Sequence, residues 1–241
     1  MKTTSSKNSI YIGQNAGTEL INHIRNAKTS VKIVSPYLSP DYIKELINLN
    51  NRGIKITLIT CDDIKENQYS DFKVSDIIKQ KKIPDPNAEN KKKTIKGISY
   101  LFLLISILTL SLSIFSLDLL IIPISLFLIS MIGLTISYFT KKERYEYYSI
   151  FRLKVFDSNS GEKPLSKELI HSKIFVIDEK IAFLGSLNFT YSGFKTHYET
   201  LIKIEDINAV NDISKEVESL YESNFLKSKS IDELGKQIYT R

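Results

Sequence analysis

Apolar residues along this chain fall into three regimes. Up to residue 60 they come in short groups: Ala16 to Ala27 at helical spacing, Val31 to Ser35 as a strand, Pro40 to Asn50 as a helix opened by Ser39, and Ile54 to Thr60 as a second strand. Residues 62 to 97 are charged and punctuated by Pro84 and Pro86, which predicts a helix and then a linker. The second regime is almost purely apolar, from Ile98 to Leu117 and, after Asp118, from Leu119 to Thr140. In the third, Phe151 to Phe156, Ile170 to Ile177, Ile181 to Leu184 and Thr200 to Ile204 read as strands, with a helix from about Asn208 to Phe225. Strands and helices interleave on both sides of the apolar block, so the expected class is α/β, a sheet covered by helices.

Each apolar stretch is long enough to cross a bilayer, since about 20 residues at roughly 1.5 Å rise give about 30 Å. A single continuous helix would bury Asp118 in hydrocarbon at a cost of about 3 kcal/mol, so a turn at Asp118 is the better solution, with Pro123 in the first turn of the returning helix. Lys91, Lys92, Lys93 and Lys96 precede the block, and Lys141, Lys142 and Arg144 follow it. The positive-inside rule then puts both flanks on the cytoplasmic side of a cell membrane. A hairpin dipping into one leaflet, or one buried in a soluble protein, is the alternative. The organisation expected is 1–90 as one half of a domain with its linker, 91–144 as the hairpin with its basic flanks, and 145–241 as the second half.

A net charge of +6 and a pI near 9.1 suit an anionic partner without choosing between nucleic acid and lipid headgroups. The segment MKTTSSKNS has no apolar core, so no cleavable signal peptide is expected. The single Cys61 excludes an intramolecular disulfide and is expected at a strand end, consistent with a reducing cytoplasm. No glycine-rich phosphate loop and no zinc-ligand spacing occurs.

The chemistry concentrates in HSKIFVIDEKIAFLGSLNFTYSGFKTHYE, where His171, Lys173, Asp178, Gly185, Ser186 and Asn188 fall into the spacing HxKx4Dx6GSxN. A histidine and a lysine two apart on an extended segment share a face, so a nucleophilic imidazole and a fixed cation can converge on one phosphate. Asp178 to Lys180 reads as a turn between two strands. Gly185 allows a tight bend that presents Ser186 and Asn188 as hydrogen-bond donors. Singly, a strand histidine is most often structural and a lysine a solvated cation; six positions in one spacing reverse that. His23, in a helical pattern, reads as structural, and nothing in the residue types assigns chemistry to His197.

This segment resembles the HKD motif of the phospholipase D superfamily, in particular its short single-motif branch, which includes bacterial endonucleases and cardiolipin hydrolase-like proteins. The resemblance implies a phospholipase D-like sheet flanked by helices, here interrupted by a two-helix transmembrane hairpin. It also implies that His171 attacks phosphorus to give a phosphohistidine, that Lys173, Ser186 and Asn188 bind the phosphate, and that Asp178 supports them without touching it. Neither metal nor cofactor is needed. Glu199 stands where short members carry a carboxylate that accepts a hydrogen bond from the nucleophile. The general acid is a second histidine, and one HxK per chain therefore implies a homodimer with His171 of both copies at one phosphorus. The expected activity is hydrolysis of phospholipid at the membrane. The alternatives are a membrane-tethered endonuclease acting on DNA or RNA, and a phosphatidyltransferase in which an alcohol replaces water.

Overall fold

The computed structural model describes residues 2–5, 8–60, 73–112, 120–157, 170–224 and 226–240. In chain order the elements are β1 (Lys2–Ser5), β2 (Asn8–Gly13), α1 (Thr18–Arg25), β3 (Ser30–Val34), α2 (Pro40–Asn51), β4 (Lys55–Thr60), β5 (Ile78–Pro84), α3 (Pro86–Leu112), α4 (Ile121–Phe139), β6 (Glu143–Ser149), β7 (Arg152–Phe156), β8 (Ile174–Ile177), β9 (Ile181–Gly185), α5 (Tyr191–Lys195), β10 (Glu199–Ile204), α6 (Ile207–Glu222), β11 (Ser228–Lys229) and α7 (Ile231–Tyr239). They divide into two units, Met1–Gln80 with Tyr147–Arg241, and Lys81–Glu146.

The first unit is built on a mixed sheet in the order β1-β2-β10-β9-β8-β3-β4-β7-β11. β3, β4 and β7 are parallel neighbours, whereas β3 and β8 pair antiparallel from Val31 with Ile177 to Val34 with Ile174. Strand alternation sorts the two faces. Val31 and Ile33 join Leu20 and Ile24 of α1, Leu46 of α2 and Phe175 in the larger core, while Val34, Ile59 and Phe156 pack on Val217 of α6. Lys32 lies on the α6 face, where its ammonium reaches Ser214 Oγ at 2.7 Å, Glu179 at 2.8 Å and Glu218 at 2.9 Å. Burial pushes this ammonium down, and the two carboxylates more than reverse that, holding it above the ordinary lysine value.

Three sequence expectations change. β1 and β2, too polar to be predicted from apolar patterning, extend the sheet beyond β10. β8 starts at Ile174 rather than Ile170, because its partner β3 ends at Val34, opposite Ile174. The supposed linker before the apolar block holds β5, which pairs with β6. Pro86 is not a linker mark but the first residue of α3, preceded by Asp85, whose carboxylate accepts from the Ala88 amide at 3.1 Å. The expected turn at Asp118, the helix expected just after residue 62 and Cys61 lie outside the described residues.

Asp178, grouped with the catalytic residues by resemblance, has a different place. It follows the last residue of β8, whereas His171 lies three positions before the first, so the whole four-residue strand, at roughly 3.3 Å per residue, stands between them. Its carboxylate accepts the amides of Lys28 (3.0 Å), Thr29 (2.7 Å) and Ser30 (3.1 Å) and the Thr29 hydroxyl (3.0 Å). Partial burial pushes this carboxyl up, and the four donors outweigh it and hold it below the usual aspartate range. Its φ of 54° lies in the left-handed region that Asp and Asn tolerate better than other side chains. Asp178 fastens the β8–β9 turn to the start of β3 and touches neither His171 nor Lys173.

In the second unit, α3 and α4 are 27 and 19 residues long and apolar enough to cross a membrane. Their burial is inverted relative to a soluble helix pair. The buried residues are Ser99 and Ser106 on α3 and Pro123, Ser130 and Ser137 on α4, while Leu101, Leu104, Leu108, Ile121 and Ile132 are all more than half exposed. The serines recur every seven residues and bond across the pair: Ser106 Oγ donates to the Pro123 carbonyl (2.7 Å), Ser130 Oγ to that of Ser99 (2.8 Å) and Ser137 Oγ to that of Lys92 (3.4 Å). Lys92 returns the contact, its ammonium donating to the carbonyls of Tyr138 (3.4 Å) and Thr140 (3.2 Å) at the open C-terminal end of α4.

Two pairs of variants test these readings. A Cβ on Gly133 would come 2.1 Å from Ser99 Oγ, whereas one on Gly97 meets nothing within 4 Å. Gly133→Ala should therefore lose about 1–3 kcal/mol through overpacking, and Gly97→Ala should be neutral or gain up to about 1 kcal/mol of helix propensity, measured as thermal midpoints of the full chain in detergent. At the other end, Asp178→Asn should cost about 1 kcal/mol and Asp178→Ala about 2–3 kcal/mol, the difference being the left-handed backbone. Because the folded carboxyl is depressed, its contribution is complete above roughly pH 5 and disappears as pH falls through the folded value. The wild type should lose more stability than Asp178→Asn over that acid range in pH-resolved melts, and Asp178→Asn should keep its activity at pH 7.

Candidate active site

The loops at one end of the interior strands β8 and β9 carry the remaining motif residues. Ahead of β8 the chain is not strand, yet His171 and Lys173 still diverge from it in a useful way: the imidazole is exposed, and the Lys173 side chain turns inward to 6% exposure. The ammonium donates to the His171 carbonyl at 2.7 Å and lies 3.2 Å from both ring nitrogens. Equal distances place it against the ring rather than in line with either nitrogen's lone pair. The two side chains meet as expected from the HxK spacing.

Gly185 closes β9 where β10 begins. A Cβ there would lie 2.0 Å from the Thr200 carbonyl oxygen, so only glycine permits this approach. The approach makes a two-way clamp: the Ser186 amide donates to the Thr200 carbonyl (3.0 Å) and the Thr200 amide donates back to Ser186 Oγ (3.0 Å). Ser186 Oγ in turn donates to Oε2 of the buried Glu199. A hydroxyl has one proton to give. Within the single chain that proton goes to Glu199.

Glu199 has a second neighbour within the chain. Its Oε1 faces Nδ1 of His197 at 3.7 Å, and it makes no bond to His171. Within one chain the nucleophile candidate is served by Lys173, and the carboxylate by Ser186. His23, read as structural, is so: it lies 3.6 Å from Glu19 and packs its ring against Phe183.

Asn188 is half-buried, with its side-chain Oδ1 buried and without a hydrogen-bond partner. Amide oxygen and nitrogen are interchangeable by rotation, so this end can present Nδ2 as a donor. Its position depends on residues that the sequence does not single out. Ser35 Oγ accepts the amide of Phe189 at 2.9 Å and donates to the Tyr37 carbonyl at 2.8 Å. The Ser39 amide donates to the Phe189 carbonyl (3.1 Å), and Ser39 Oγ accepts from the Tyr191 amide (2.9 Å). Phe189 itself is fully buried against Tyr42, Phe175 and Phe194. Ser35 and Ser39 thus pin the Asn188 loop to the N-terminal half. A serine following a strand carries no pattern that would have revealed this.

Among the described residues no group of three or more His, Cys, Asp or Glu side chains is arranged to hold a metal ion. The assembled groups are one exposed imidazole, one buried ammonium, one amide end and a carboxylate–imidazole pair. That set can bind and attack a tetrahedral phosphorus anion, with the imidazole as nucleophile and the cation and amide on its oxygens.

Comparison with known proteins places the chain in a family. No curated protein matches the chain by sequence. Among solved structures it is similar to NucT from Helicobacter pylori, at 18% identity over 90% of this chain and 96% of that one, with a TM-score of 0.49. It is similar also to Nuc from Salmonella typhimurium, a phospholipase D family member, at 13% identity over 92% and 99%, TM-score 0.46. A phosphatidylserine synthase from Haemophilus influenzae Rd KW20 is 12% identical over 97% of this chain and 45% of its own, TM-score 0.42. The family described as cardiolipin synthase, PLD-like domain matches residues 20–102 and 128–221, well over half of the sequence. The chain, with its HxK pair and mixed sheet, belongs to the phospholipase D-like family.

Proposed function

We propose that the chain is a membrane-anchored, metal-independent phosphodiesterase that hydrolyses phospholipid through a phosphohistidine at His171. The observation that carries the reaction class is the buried Lys173 ammonium seated against the exposed His171 imidazole. Burial holds the cation in one place, and exposure leaves the nucleophile open to substrate. The imidazole attacks phosphorus and the leaving alkoxide takes a proton from a second histidine. That histidine then deprotonates water, whose attack on phosphorus returns free His171. Lys173 and Asn188 hold the charge on the non-bridging oxygens. The second histidine is His171 of a partner copy in a two-fold dimer, since the motif occurs once per chain.

The lipid assignment draws on the inverted hairpin. With serines inside and leucines outside, its surface suits hydrocarbon, where packing uses small residues and hydroxyl-to-carbonyl bonds. Both basic flanks then lie in the cytoplasm and the chain passes the membrane twice. An anchored site meets lipid phosphodiesters at high local concentration.

The experiment offers purified protein labelled phospholipids and single- and double-stranded nucleic acids in parallel, with EDTA present. Lipid cleavage supports the reading, and nucleic acid cleavage alone replaces it with a tethered nuclease. A labelled phosphatidyl product formed when alcohol is added would mark transfer instead of hydrolysis. His171→Ala should abolish turnover with the fold unchanged, and Lys173→Ala and Asn188→Ala should each lose about 3 kcal/mol, roughly a hundredfold in rate. Wild-type rates in His171→Ala, or loss of wild-type activity in EDTA, would overturn the mechanism. Co-assembly of wild type with excess His171→Ala tests the dimer: activity should fall as the square of the wild-type fraction. A linear fall would place the second histidine in the same chain, where Glu199 already faces His197.

A further inference from the structure

The unit containing the hairpin is strongly asymmetric in charge along its length. Its base, Lys81–Asp85 with the first turns of α3 and the chain after α4, carries the acids Asp85, Glu89, Glu143 and Glu146. All four are occupied. Asp85 caps α3, Glu89 pairs with Lys93 at 3.1 Å, Glu143 pairs with Lys82, and Glu146 pairs with Arg144 at 3.3 Å. Lys92 is taken up by the carbonyls at the end of α4. This leaves Lys81, Lys91, Lys141 and Lys142, all exposed and without an ion pair among the described residues, and Lys96, whose ammonium lies 5.6 Å from the Tyr100 ring centre.

Lys96, Lys141 and Lys142 border the exposed apolar belt, and Lys81 and Lys91 lie farther out along the same base. Lys96 stands two positions before Ile98, and Lys141 two after Phe139. Cross-bonds keep the two flanks together, the Ser137 hydroxyl on the Lys92 carbonyl and the Asp85 amide on the Lys142 carbonyl at 2.7 Å. Between charge and belt sit exposed rings with one polar end, Tyr100 and Tyr138, the latter 79% exposed. Unpaired cations, then amphipathic rings, then a leucine-rich surface is the order of layers in a bilayer from headgroup to tail.

We infer that the base of the hairpin is a binding collar for anionic phospholipid headgroups, distinct from the His171 site and using Lys81, Lys91, Lys96, Lys141 and Lys142. The inference rests on the membrane reading above and deepens it: the anchor selects negatively charged lipid as well as entering hydrocarbon. A polynucleotide would satisfy the charge but not the apolar border, and is therefore the less suited polyanion.

The test is the thermal midpoint of the full chain, followed by circular dichroism, in nanodiscs of phosphatidylcholine and in nanodiscs with one third phosphatidylglycerol. The midpoint should be several degrees higher in the anionic discs, and the gap should shrink between about 50 mM and about 500 mM salt. Lys91→Gln with Lys141→Gln and Lys142→Gln should remove the gap while leaving the phosphatidylcholine midpoint in place. Equal midpoints in the two discs, or a gap unchanged in the triple variant, overturn the collar and leave the anchor standing. A chain that enters neither disc overturns both. If a short DNA duplex raises the midpoint in phosphatidylcholine discs where phosphatidylglycerol does not, the cations serve nucleic acid and the collar is wrong.

Discussion

The pairing of β3 with β8 is the central one of three strand pairings that join the two halves of the sheet-bearing unit. The sequence of the sheet-bearing unit is interrupted between Gln80 and Tyr147, so its halves must find each other across the insertion. They do so through β2 with β10, β4 with β7 and, between these, β3 with β8, whose four residue pairs from Val31–Ile177 to Val34–Ile174 are sealed at both ends by side chains. At one end the Asp178 carboxylate gathers the amides of Lys28, Thr29 and Ser30. At the other, Ser35 takes the Phe189 amide. The first seal sets the register of the strand that His171 and Lys173 lead into; the second holds the loop that carries Asn188. The candidate site draws on both halves: His171, Lys173 and Asn188 come from the second, and Lys28, Thr29, Ser30 and Ser35, which hold the flanking turns, from the first.

Much of this was legible in the sequence where a residue's chemistry follows from spacing. The spacing brings His171 and Lys173 into contact, though through the lysine folding back onto the His171 carbonyl and ring ahead of β8 rather than through a shared strand face. Gly185 was legible as a bend, though its reason, the Thr200 carbonyl at the space a Cβ would fill, is a tertiary fact. β1, β2, β5 and β6 were not legible because their side chains are polar on both faces or mix Lys, Glu and Tyr, so no alternation stands out. The Ser186 hydroxyl on Glu199 was not legible either, for a related reason. Sequence places Glu199 near the motif, but only the clamp between β9 and β10 shows that Ser186 reaches its carboxylate.

The second unit follows the opposite solvent logic. In the first, leucines and isoleucines fill the interior and the cations lie outside or in paired networks such as Lys32 with Glu179 and Glu218. In the second, hydroxyls fill the interior and the apolar side chains face out. One sequence uses both arrangements, consistent with the proposal that its parts fold in different solvents. The interior serines then replace the hydrophobic contact that a pair of helices gains in water but not among lipid tails.

The central claim is that His171 bonds to phosphorus, and the most direct measurement is to trap that bond. Wild-type protein would be mixed with a cleavable phosphodiester, quenched in alkaline denaturant, which preserves phosphorus–nitrogen linkages, and digested for mass spectrometry. The account predicts an adduct of the substrate minus its leaving alcohol on the peptide containing His171, formed and lost at rates compatible with turnover. Turnover with the adduct on another residue, or with no adduct on His171 under conditions where a slowly hydrolysed substrate should accumulate one, would contradict it.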